Sequence, residues 1–128
     1  VSVPPMLKGA EPSYWFLRLR FHPESATCDK SVFCKALQAE GLLVRERYTS
    51  LAHRQEWFQK KRIFGSSKLP WSAPQYKGNP NRDFACPNAL AALDDHFDIV
   101  MRESWGRSEA ADITAIFNKV ARAFAKIA

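Results

Sequence analysis

Hydrophobic and polar side chains alternate over residues 14–21, with Trp15, Leu17, Leu19 and Phe21 on one side and Tyr14, Phe16, Arg18 and Arg20 on the other. A period of two predicts a strand with one buried face and one partly polar face. The period then changes. After the turn at His22-Pro23, Asp29 stands at an N-cap position, and Phe33, Ala36, Leu37 and Glu40 recur at helical spacing up to Gly41. That pattern predicts a helix over 30–40. Residues 42–48 alternate again, Leu42, Val44, Glu46 and Tyr48 against Leu43, Arg45 and Arg47, which predicts a second strand.

Regularity lapses over 49–85, where Pro70, Pro74 and Pro80 interrupt the chain and only a short helix around 55–62 is expected. This stretch is rich in aromatics. Trp57, Phe58, Phe64, Trp71 and Tyr76 must either wrap over the core or face a partner. Pro87 then suits a first helical position, and Leu90, Leu93 and Phe97 form an apolar stripe, so a helix is predicted over 87–97. A short strand over 98–101 follows. Ser108 is placed to cap a last helix in which Ile113, Ile116, Phe117, Val120, Phe124 and Ile127 recur every three or four residues.

The order β-α-β, long excursion, α-β-α predicts an α+β fold, a two-layer sandwich of a small, mostly antiparallel sheet with helices on one face. The chain reads as a single domain over 1–128, long enough to bury roughly two-thirds of its unfolded surface. Its parts are a connector (1–13), the β-α-β unit (14–48), the irregular excursion (49–85) and the α-β-α unit (86–128). The connector, with Pro4, Pro5, Gly9 and Pro12, reads as arriving from elsewhere, as expected of a fragment.

Composition narrows the function classes. No apolar run nears the eighteen or so residues that span a bilayer. Cys28, Cys34 and Cys86 form no C-x-x-C pair, and no nearby histidine is arranged with them as a zinc site. They read as free thiols, which points to the cytoplasm. A net charge of +6 raises a nucleic-acid partner, yet the basic residues run from Lys8 to Lys126 and the densest cluster is only Lys60, Lys61 and Arg62 with Lys68 beyond. A solvated face, or one meant for another domain, is the preferred reading. Phosphate-loop, dinucleotide, nucleophile-elbow and zincin motifs are all missing. His22, His53 and His96 read as surface or capping residues, and Asp94 and Asp95, about 100 degrees apart on a helix, as solvated charges.

Arg45, Arg47, Tyr48 and His53 form the most suggestive group, since a strand end feeding a loop commonly presents binding residues. Arginine there can hold a carboxylate or phosphate by two parallel hydrogen bonds. The competing reading is an edge strand blunted by charge.

Several stretches resemble the C-terminal portion of DegT/DnrJ/StrS-type aminotransferases, which are fold-type-I enzymes dependent on pyridoxal phosphate (PLP). They are the strand from Ser13 through Trp15 to Arg20, the helix-glycine-strand passage from Asp29 through Gly41 to Val44, and Cys86-Pro87-Asn88-Ala89. The last helix, with Ile113, Phe117, Lys119 and Val120, is similar too. Arg47-Tyr48 with Leu51 to His53 resembles the family's His-Tyr-x-Pro-Leu-His region. It departs from that region at Arg47, Ser50 and Ala52, and His53 falls one place late. Residues 65–83 are longer than in typical members.

The resemblance implies a small domain that closes over the active site of a homodimeric enzyme. That enzyme would transfer an amino group from an amino-acid donor to a keto-sugar or related ketone. PLP, its Schiff-base lysine and the phosphate cradle would lie in an N-terminal large domain, so this chain is assigned no catalytic, cofactor-binding or metal-binding residue and is expected to be inactive alone. Tyr48 and Arg47 are the expected substrate contacts, with Arg45 and His53 behind them and Trp71 and Tyr76 as weaker candidates. The alternatives are a free-standing basic module binding RNA or another acidic partner, and a scaffold descended from the enzyme.

Overall fold

A computed structural model describes residues 1–48 and 50–126. Its elements are β1 (Phe16–Arg20), α1 (Lys30–Ala39), β2 (Val44–Arg45), α2 (Glu56–Gln59), α3 (Pro87–Asp95), β3 (His96–Val100) and α4 (Arg107–Phe124). Among the described residues the fold is α+β, with a small open antiparallel sheet of three strands and four α-helices. The chain divides into two compact units, one of Val1–Tyr48 with Ala91–Ala128 and the other of Thr49–Leu90.

In the first unit β3 is central and both flanking strands run antiparallel to it, in the order β1-β3-β2. β1 and β2 are therefore parallel to each other with β3 between them, a split β-α-β arrangement. Leu17 and Leu19 stand opposite Ile99 and Phe97, and Val44 opposite Ile99. That face carries the core: Leu19, Val44, Phe97 and Ile99 cluster with Phe33, Cys34 and Leu37 of α1 and Val120 of α4. Ile113, Ile116, Phe117 and Phe124 pack against it, as their spacing predicts; Ile127 lies outside the described residues.

α1 follows its sequence signals closely. The Asp29 carboxylate accepts from Val32 N–H at 2.8 Å, and Gly41 continues the chain at φ 94, a left-handed conformation that a β-carbon would oppose. Three expectations are corrected. The strand predicted over 42–48 shrinks to Val44–Arg45, because a bend at Glu46 takes the chain off the sheet edge. The helix predicted to reach 97 ends at Asp95, and the strand begins at His96, because His96 and Phe97 pair with Arg20 and Leu19. Ser108 is not the cap of α4. Gly106 holds that position, and Glu109 reaches back to accept from Gly106 N–H at 2.7 Å and from the Ser108 hydroxyl at 3.0 Å. Those two donors hold the Glu109 carboxyl below its ordinary range.

The connector is tied at its start, since Ser2 and Arg20 exchange two main-chain hydrogen bonds of 2.9 Å. No helix among the described residues is long and apolar enough to cross a membrane.

Cys34 is fully buried, and burial pushes its thiol up to about 12. Two outcomes are expected. A thiol reagent at neutral pH should modify Cys34 only after unfolding, as mass spectrometry of the labelled protein can read. Because the folded thiol ionises at higher pH than the unfolded one at 9.0, its contribution is complete below pH 9 and is lost as the pH rises toward 12. Cys34→Ala should flatten that alkaline limb of the stability curve.

Candidate functional site

The sheet face turned away from the core is polar and aromatic. Asp98, at the centre of the middle strand, is 1% exposed. Its carboxylate accepts from Arg18 Nε at 2.9 Å and Arg18 Nη2 at 3.3 Å, the two-pronged geometry that suits guanidinium to carboxylate. The hydrogen bond it donates to Asp98 is the main reason the guanidinium is held above its ordinary value. Arg18 also lies over two rings, 5.1 Å from Phe16 and 5.4 Å from Tyr48, which are themselves 5.8 Å apart. Strand register would carry Tyr48 toward Asp95, so the chain has folded back to bring its ring beside Phe16.

Arg45 stands opposite Asp98 on the other edge, extending the row Arg18-Asp98-Arg45 across the sheet. It also lines a cleft of about 680 Å³ with Tyr14, Trp15 and Glu103. Trp15 is 82% exposed at that rim. Arg47 pairs with Asp94 at 2.9 Å, and Arg20 with Asp95 at 3.2 Å, so the two adjacent aspartates serve different arginines. Of the predicted site residues, Tyr48 and Arg45 thus join one face, whereas Arg47 is engaged by α3.

The other three fall in the second unit. The main-chain carbonyl of His53 accepts from Gln59 Nε2, and its ring Nε2 is buried with no hydrogen-bond partner among the described residues. Tyr76 is folded over Gly78, where a β-carbon would come within 2.7 Å of the phenol oxygen. Trp71 walls a cavity of about 570 Å³ together with Phe58, Phe84, Lys61, Lys68 and Arg82. Phe58 meets Trp71 and Phe84 edge-on at 5.6 and 5.8 Å, and the Lys61 ammonium lies 4.3 Å from Phe58 and 4.9 Å from Trp71. Trp57, Phe58, Trp71 and Phe84 therefore build a cluster of their own, which Phe64 and Tyr76 do not join.

Two features escaped the sequence reading. Asp98 interrupts the apolar run Phe97, Ile99, Val100, a signal that a carboxylate sits at a strand centre and needs a partner. Segment balance was the other signal: residues 49–90 hold seven Lys and Arg against Glu56 and Asp83, a net of +5 out of the chain's +6.

Lys30 spends its ammonium on the carbonyls of Leu93 and His96 at 2.8 and 2.9 Å, and Asp98, the buried carboxylate, is taken by Arg18. Among the described residues no cluster of His, Cys, Asp or Glu could hold a metal ion. Comparison with protein-family models, with curated proteins and with solved structures found no match for the chain.

Proposed function

We propose that this chain is the C-terminal small domain of a cytoplasmic PLP-dependent aminotransferase of the DegT/StrS type. In this reading it closes over a keto-sugar or related ketone held by a larger N-terminal domain, in a homodimeric enzyme. One observation carries the reading: the sheet is covered by helices on one face and offers Arg18, Tyr48 and Arg45 on the other. A lid needs this asymmetry, a packed back and a front of hydrogen-bonding and aromatic groups. The element order β-α-β, excursion, α-β-α agrees with the motifs quoted above.

On this reading Tyr48 and Arg45 orient the hydroxyl-rich acceptor and exclude water as the domain closes, while Asp98 and Arg18 hold the Tyr48 ring in place. PLP, bound outside this chain, supplies the electron sink for the transfer. The test uses the complete polypeptide of the gene. It should bind PLP with a visible absorbance and move an amino group from glutamate to a keto-sugar. Tyr48→Ala should raise KM for the acceptor about tenfold and leave the reaction with the donor unchanged. A complete polypeptide that takes up no PLP ends the reading.

A further inference from the structure

We propose that the cavity of the second unit binds a phosphomonoester carrying a flat ring, a ligand of the nucleoside monophosphate kind. The inference goes beyond the aminotransferase reading and does not depend on it. Charge is the first support. Lys60 is engaged by Glu56, which leaves Lys61, Lys68 and Arg82 without an ion pair among the described residues, against Asp83. Three cations and one anion leave two positive charges, the complement of a phosphomonoester dianion.

Backbone conformation is the second support, and it is independent of charge. Lys61 and Lys68 have φ of 55 and 57 degrees, in the left-handed region where a β-carbon crowds its own carbonyl and glycine would sit freely. Both line this one cavity. At Lys61 this conformation closes the last turn of α2, with Arg62 N–H donating to the carbonyl of Trp57 at 2.7 Å; Lys68 lies beyond any helix end, and strain of this kind collects where side chains are held for a ligand. The ammonium of Lys61, over the rings of Phe58 and Trp71, is fixed and partly stripped of water before any ligand arrives.

Shape is the third. A volume of about 570 Å³ is in the range of small-molecule sites, and Trp71 and Phe84, each edge-on to Phe58, line it with aromatic surface that a planar ring can meet.

Titration calorimetry of the 128-residue chain with adenosine monophosphate tests the site, with adenosine and inorganic phosphate as its two halves. Adenosine monophosphate should bind at least about tenfold more tightly than either half. It should also quench tryptophan fluorescence in a way that Trp71→Phe abolishes. Lys61→Gln should weaken binding about tenfold. Should that variant fail to fold, Lys68→Gly decides: it should raise the thermal midpoint by relieving the backbone and still weaken binding about tenfold. The proposal is overturned if adenosine monophosphate gives no signal at millimolar concentration, if either half binds as well as the whole, or if Lys68→Gly leaves affinity unchanged. Binding of a single-stranded RNA without binding of the mononucleotide would overturn it in favour of a polymer surface.

Discussion

Arg18→Met is expected to remove about 3 kcal/mol of folding stability, whereas Asp98→Asn removes about half as much. The asymmetry follows from burial: the Arg18 side chain is 40% exposed and that of Asp98 only 2%. Without Asp98 the guanidinium can still turn to water and to the rings of Phe16 and Tyr48. Without Arg18 the carboxylate loses the cation hydrogen-bonded to it among the described residues, since Arg45, its neighbour on β2, makes no hydrogen bond to it. The loss sits at the low end for buried pairs because the arginine is half solvated and gives up less on pairing. Replacing both, Arg18→Met with Asp98→Leu, should recover most of the stability, since an apolar pair needs no hydration. Urea unfolding of the three variants reads this directly. Equal losses in the two single variants, or a double variant weaker than either, would contradict the account.

Phe33→Ala should be costlier still, about 4 kcal/mol. Phe33 is 2% exposed on α1, and its ring lies 5.4 Å from Phe21, 6.0 Å from Phe97 and 6.3 Å from Phe124. Those partners come from the end of β1, from β3 and from the last turn of α4, so one ring joins the helix layer to the sheet. Domains of this size hold some 5–15 kcal/mol in total, which places the variant close to unfolding at physiological temperature. Phe33→Leu, which keeps most of the volume, should lose less than about 1.5 kcal/mol. Thermal unfolding followed by circular dichroism distinguishes the two. A loss below 2 kcal/mol for the alanine variant would mean that the layer refills the gap.

The helices α1 and α4 were legible because their signals are local. Asp29 and Gly41 mark the ends of α1 within the chain's own few residues, and the stripe of α4 repeats over about three turns, from Ile113 to Phe124. The strands were less so, because a partner far away decides their length. Phe97 lies four residues after Leu93, which fits a helical stripe as well as a strand, and only the ladder to Leu19 settles it. Likewise the alternation of 42–48 looks like a full strand, yet the chain leaves the edge after Arg45. The candidate site divides the same way. Tyr48 and Arg45 were singled out from their place at a strand end, but Arg18 and Asp98 stand 80 positions apart, and no local pattern joins them. The cavity of the excursion was hidden because Lys61, Lys68 and Arg82 stand apart in the sequence and only folding brings them to one cavity.

The central position of β3 also bears on how the chain assembles. Both β1 and β2 are hydrogen-bonded to β3 and not to each other, yet β3 is the last strand to be synthesised. Until residues 96–100 leave the ribosome, the earlier strands have no ladder to join and the apolar side of α1 has no sheet to cover it. Closing the chain around residues 49–90 adds only logarithmically to the entropic cost, so stability suffers little from the insertion. Speed suffers more, since pairings this distant in sequence slow folding. A nascent chain halted before His96 would therefore be a substrate for chaperones.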